Sequence, residues 1–179
     1  PVILKSFATA ALGLLYISLS WGLMMSLSDP YRNPNVFYYS PPSHTIELPF
    51  IIILSIWIND TMAYIVGSII GKRPLSKISP KKTWEGTIGG MILCSATIFL
   101  LTYSIEGYVS HWVVDYTCIS IIAAITGTFG DLLESKLKRM AGVKDSGQIM
   151  PGHGGFMDRF DSLLLAIPFV WLYVHFTMS

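Results

Sequence analysis

The sequence predicts an all-α, polytopic integral-membrane helix bundle of about five spans, and three observations carry that reading. Hydrophobic residues make up 52% of the 179-residue chain and charged residues only 13%, about half the ~25% usual for soluble domains. Five separate stretches approach the ~20 apolar residues that cross a bilayer core as a helix. No stretch keeps the strict alternation that a membrane barrel needs.

The spans fall at roughly 6–27, 48–70, 87–106, 112–130 and 162–178. The first opens almost at once after Pro1. It has no charged leader and no cleavage site, so it is not a signal peptide. Because the chain starts without an initiator methionine, the expectation is that further spans precede it. The segment 28–47 contains Pro30, Pro34, Pro41 and Pro42 and reads as a loop that cannot stay helical. Its tyrosines and Phe37 suit a membrane interface. The third span is apolar apart from scattered Ser and Thr, whose hydroxyls can bond back to the helix. Cys94 and Cys118 have neither the number nor the spacing of a zinc site or disulfide framework, and read as small buried hydrophobes.

Loop charges set the orientation. Lys5, the loop after span two (Lys72, Arg73, Lys77, Lys81, Lys82) and the loop after span four (Lys136, Lys138, Arg139, Lys144, Arg159) bring eleven basic residues to one side, against Arg32 on the other. The expectation is that both basic loops face the cytoplasm.

Chemistry concentrates where charge does. From Asp131 to Asp161, 31 residues hold five acids and five bases, so the segment is not simply a lipid-attracting basic patch. Its first half continues the helix of span four, where Asp131, Ser135 and Lys138 share one face at i, i+4 and i+7. A carboxylate, a hydroxyl and an ammonium in one row suit a metal-bound polyphosphate; an ordinary charged helix end would look the same. The second half is glycine-rich, with Gly142, Gly147, Gly152, Gly154 and Gly155, and such backbone can offer unobstructed N–H groups to phosphate. Asp158, Arg159 and Asp161 then open the last span, where carboxylates also favour the positive end of the helix dipole.

In the other basic loop, Pro80-Lys81-Lys82-Thr83-Trp84-Glu85 carries more pattern than positive-inside anchoring requires. Gly67 to Lys72 is not a P-loop, since three residues rather than four separate the glycines and Arg73 stands where Ser or Thr is needed. Gly67/Gly71 and Gly86/Gly90 read instead as small-xxx-small helix contacts. Asn59 and Asp60 lie inside span two. An ionisable group there costs roughly 2.5–3.5 kcal/mol at the bilayer centre, which points to function, with a buried interhelical hydrogen bond as the other reading.

Ser135-Lys136-Leu137-Lys138-Arg139, Lys144-Asp145-Ser146-Gly147 and His153-Gly154-Gly155-Phe156-Met157-Asp158-Arg159-Phe160-Asp161 together resemble the signature of the phosphatidate cytidylyltransferase (CDP-diacylglycerol synthase) family. Asn59-Asp60, Gly71-Lys72 and Ser79-Pro80-Lys81-Lys82-Thr83-Trp84-Glu85-Gly86 resemble its upstream blocks. The resemblance runs from about residue 50 to the end; residues 1–49 match only in being apolar and then loop-like. It implies that residues 1–179 are the C-terminal catalytic transmembrane domain of a longer cytidylyltransferase. The implied reaction joins CTP to phosphatidic acid, giving CDP-diacylglycerol and pyrophosphate. Also implied are a homodimer and a metal centre on Mg²⁺ that can take a second cation.

By the same resemblance Asp131 and Asp158 hold the metal, and Ser135, Lys138 and Asp161 complete the catalytic set. Asp60, Lys72, Lys81, Lys82, Lys144, His153, Gly154, Gly155 and Arg159 are the expected substrate-binding residues. The expected partners are CTP, phosphatidic acid and membrane lipids, not nucleic acid. The expected location is the cell membrane, the inner one in a bacterium, with the site facing the cytoplasm. Two rivals make different predictions: a CTP-dependent polyprenol or phytol kinase would transfer the γ-phosphoryl group, and a transporter would show flux without nucleotide turnover.

Overall fold

Five helices account for almost all of the described structure. The computed structural model describes residues 2–28, 47–76, 78–143 and 157–178, with the side chains of residues 2–9, 47 and 157–159 outside that description. In chain order the helices are α1 (Val2–Leu27), α2 (Glu47–Ile70), α3 (Trp84–Glu106), α4 (His111–Met140) and α5 (Met157–Thr177). All five are long and apolar enough to cross a membrane. Among the described residues there is no strand, only an isolated bridge between Pro74 and Thr83. The proline-rich segment 29–46 and the glycine-rich segment 144–156 lie outside the described residues.

The helix ends follow local chemistry. Thr83 caps α3, its side chain accepting from Gly86 N at 3.1 Å. Gly107 closes α3 in the left-handed region at φ 76°, where a side chain would be strained. Ser110 caps α4 by accepting from Val113 N. At 30 residues, α4 is about 45 Å long, well beyond the ~30 Å apolar layer. Asp131 to Met140 form its last turns, beyond the length that layer needs.

The apolar surface is arranged for lipid. Leu14 (70% exposed), Trp57 (68%) and Ile69 (75%) point outward, and water would penalise so much exposed apolar area. The core lies between the helices, with Ile52, Ile98, Ile119, Ala123, Ile167 and Val170 fully buried. α2 packs on α3 most extensively, α4 on α5 next, and α2 also touches α4, α5 and α1.

Small residues and polar bridges hold these contacts. A Cβ added at Gly90 would lie 2.7 Å from Ala63 Cβ, and one at Gly86 2.8 Å from Gly67 Cα, so α2 and α3 meet at backbone distance. Within α3, Ser95 and Thr97 donate to Met91 O and Leu93 O. Cys94 is buried, its thiol directed at Ser55 O at 3.2 Å, and neither cysteine is in a disulfide. At the end of the bundle remote from Asp131, Tyr173 donates to Asp115 Oδ1 at 2.9 Å, joining α5 to α4.

Pro168 lies inside α5. It has no N–H, so the carbonyl of Leu164, one turn earlier, has no helical donor. Ser20 of α1 approaches it in a fully buried position, its one hydroxyl proton shared between Leu164 O at 2.7 Å and its own helix's Tyr16 O at 2.9 Å. α1 is thus docked on the place where the α5 ladder is broken.

Candidate active site

The two charged segments meet at one end of the bundle. The loop between α2 and α3 is folded on itself, with Leu75 N donating to Lys82 O at 2.7 Å and Trp84 N to Arg73 O at 3.0 Å. Glu85 Oε2 receives the backbone N–H groups of Lys72 and Arg73, each at 3.2 Å. This clasp aims Lys82 across to α4, where its ammonium lies 2.6 Å from Asp131 Oδ2. The contact is a close ion pair without hydrogen-bond alignment, and both side chains are partly exposed.

Gly130 explains how Asp131 and Asp161 come to face the same space. A Cβ at Gly130 would sit 2.6 Å from Asp161 O and 3.1 Å from Ser162 Cα. Only glycine lets α4 and α5 approach this closely here. Asp60, from α2, stands opposite, near enough to feel the charges of Lys82, Asp131 and Asp161.

Two cavities open on this junction. The first, of about 400 Å³, is lined by Asn59, Asp60, Ala63, Tyr64, Gly67, Ser68, Lys81, Lys82, Thr83, Thr87, Thr128 and Asp131. The second, of about 540 Å³, is lined by Ile53, Ile56, Trp57, Phe160 and Leu163, together with Asp60, Asp131, Asp161 and Ser162. Asp60 and Asp131 belong to both. A chamber that carries two lysines and several hydroxyls, and a second that carries five large apolar side chains beside three carboxylates, therefore share Asp60 and Asp131. The first offers cations and hydroxyl donors to phosphate, the second a surface for hydrocarbon.

The donor set suits a hard divalent cation. Asp131 already attracts an ammonium, and carboxylate oxygens are the ligands Mg²⁺ takes, one or two at a time. Asn59 is 3% exposed, and its Oδ1 is buried without a hydrogen-bond partner while its Nδ2 reaches Thr128 Oγ1 at 3.5 Å. Asn59 also belongs to the wall of the first chamber. Among the described residues no three His, Cys, Asp or Glu side chains converge as a preassembled cation cage.

Of the residues singled out in the sequence, Asp60, Lys81, Lys82, Asp131 and Asp161 come together here. Lys72 does not line either chamber; its side chain is exposed, and its backbone serves the clasp. Ser135 and Lys138 also stay out of both walls, and Lys138 Nζ lies 3.4 Å from Glu134 Oε2 rather than continuing the row from Asp131. Asp158 and Arg159 fall in the first turn of α5, but their side chains lie outside the described residues. Lys144, His153, Gly154 and Gly155 lie outside them entirely.

Sequence reasoning missed Glu134, which is buried (9% exposed) and close enough to Asp161 for their side chains to interact. Its signal was the i,i+4 spacing to Lys138. It also missed Thr128, Thr87 and Ser68, hydroxyls that a span can carry for helix bonding alone.

The sequence pattern of the cytidylyltransferase family matches residues 2–177. The match reaches back through α1, further than the motifs alone extend. The phosphatidate cytidylyltransferase of Staphylococcus haemolyticus is 40% identical over 134 residues, which are 74% of this chain and 51% of the relative. Those of Staphylococcus aureus and Staphylococcus saprophyticus are 39% and 40% identical over the same shares. The chain spans about half the length of the curated relatives it matches. With the family pattern covering all five helices, the chain belongs to the cytidylyltransferase family.

Proposed function

We propose that the chain carries the catalytic transmembrane domain of a phosphatidate cytidylyltransferase. In this reading it joins CTP to phosphatidic acid at the cytoplasmic face of a cell membrane and works as a homodimer. The observation that carries the proposal is the pair of chambers, one bearing Lys81 and Lys82, the other bearing Ile53, Ile56, Trp57, Phe160 and Leu163, that share Asp60 and Asp131. A nucleotide triphosphate and a lipid need those two environments, and the reacting phosphates must meet where they join. The names of the relatives supply the substrate class.

The chemistry asks little of a general base. The nucleophile is an oxygen of the lipid phosphate, already ionised at neutral pH. It forms a bond to the α-phosphorus of CTP, while the bond from that phosphorus to the β-phosphate oxygen breaks. Pyrophosphate leaves with the electron pair. The difficulty is electrostatic, since an anion attacks a polyanion. Lys81 and Lys82, with the hydroxyls of Thr83 and Thr87, hold and neutralise the departing phosphates. Ile53, Ile56, Trp57, Phe160 and Leu163 hold the lipid so that its phosphate points at the shared wall.

Asp131 and Asp158 would hold Mg²⁺, with Asp161 and Asp60 beside them; when bound it supplies charge neutralisation at the α-phosphate and leaving oxygen. Ser135, Lys138, Lys144, His153, Gly154, Gly155 and Arg159 are proposed on the family signature to complete the phosphate contacts.

The test uses CTP labelled either in the cytosine ring or at the γ-phosphate, with phosphatidic acid vesicles. Cytidine label should enter lipid and γ-label should leave in pyrophosphate. Transfer of γ-label to a lipid alcohol would make the protein a kinase and overturn the proposal.

A further inference from the structure

Lys82 holds an unusual place for a phosphate-binding lysine, because its ammonium is already on Asp131 Oδ2, at 2.6 Å. Its backbone is fixed on both sides, Lys82 N donating to Ser79 O at 3.2 Å and Lys82 O accepting from Leu75 N. Any movement is therefore confined to the four-carbon side chain. Lys82 lines the first chamber, as Asp131 does, so the ammonium can turn from the carboxylate into the chamber without refolding the loop.

We propose that Lys82 is an exchangeable counterion: it neutralises Asp131 until a divalent cation takes that carboxylate, and then transfers to the nucleotide phosphates. This rests on the reading of Asp131 as a metal ligand. The single charge of one carboxylate cannot balance both a dication and an ammonium a few ångströms apart, and the two cations repel. Phosphate in the same chamber gives the displaced ammonium a better anion. The exchange has a thermodynamic consequence. Without nucleotide, Lys82 competes with the metal and weakens its binding; with nucleotide, the competitor is drawn away and the two ligands favour each other.

Lys81 provides the control. It lines the same chamber and carries the same charge, but Asp131 is paired with Lys82. Mn²⁺ binding without nucleotide can be followed by electron paramagnetic resonance on the full chain in nanodiscs. Lys82→Met should tighten Mn²⁺ binding about fivefold, the scale of a partly exposed ion pair, and Lys81→Met by no more than about twofold. Adding Asp131→Asn to Lys82→Met should remove the tightened site.

Unchanged affinity in Lys82→Met, or equal tightening in Lys81→Met, would overturn the exchange while leaving the metal reading intact. Mn²⁺ binding that survives Asp131→Asn in the wild-type background, or no Mn²⁺ binding by any variant even with CTP, would remove the metal reading itself and this inference with it.

Discussion

Asp60 and Asp115 are both carboxylates within apolar helices, and their surroundings give them different work. Asp115 accepts the Tyr173 hydroxyl at 2.9 Å and joins two helices. Asp60 instead faces both chambers. Asp115→Asn keeps an acceptor for Tyr173, so it should leave turnover within about twofold and change melting by less than ~1 kcal/mol. Asp60→Asn should lower kcat/KM while leaving the protein folded and inserted. Equal losses in the two variants would mean that Asp60, too, is structural. For Lys81→Ala and Lys82→Ala, loss of one charge-assisted contact of roughly 1.5–3 kcal/mol corresponds to about one to two decades in kcat/KM. Normal kinetics in both would reduce their loop to an orientation signal. Asp60 was legible in the sequence because a charge inside a span is costly. Glu134 was not, since its burial comes from the close approach of α4 and α5 at Gly130. Spacing within one helix cannot reveal a neighbour from another.

At the scale of the helix, the bond between Ser20 and Leu164 answers the gap that Pro168 makes. Ser20→Ala should leave a buried carbonyl without a donor and cost about 1–3 kcal/mol, seen as a lower melting temperature in detergent. A neutral result would mean that the α5 ladder repairs itself locally. The α2–α3 contact gives a second test. Gly90→Ala would bring a methyl against Ala63, and such overpacking costs typically 1–3 kcal/mol. Retained stability would show that the two helices can separate freely. All five helices were readable from apolar length alone; most boundaries shifted by five residues or fewer, while α4 runs ten residues past the apolar span 112–130, to Met140. Pro168 was visible as a letter, but its partner was not, because Ser20 lies 144 residues away from Leu164 and only packing joins them.

At the scale of the molecule, the basic loop after α2 and the acidic end of α4 meet through Lys82 and Asp131, at the end that loop-charge asymmetry assigns to the cytoplasm. In a background lacking Cys94 and Cys118, Ser43→Cys should react with an impermeant thiol reagent on intact cells and Ser146→Cys should not. The reverse pattern would invert the proposed orientation. The convergence of distant segments was only partly legible: of the residues the motifs named, Asp60, Lys81, Lys82, Asp131 and Asp161 line the two chambers, while the two-chamber arrangement required the fold. The claim at the centre of this account is that Asp131, in the wall common to both chambers, is where metal, nucleotide and lipid are brought together. The most direct test is Mg²⁺-dependent pyrophosphate release from CTP, with and without phosphatidic acid, by wild-type and Asp131→Asn proteins. The account predicts release by wild type only when both Mg²⁺ and phosphatidic acid are present, and near-background release by Asp131→Asn although that protein remains folded and inserted. Near-normal, Mg²⁺-dependent release by Asp131→Asn would contradict it.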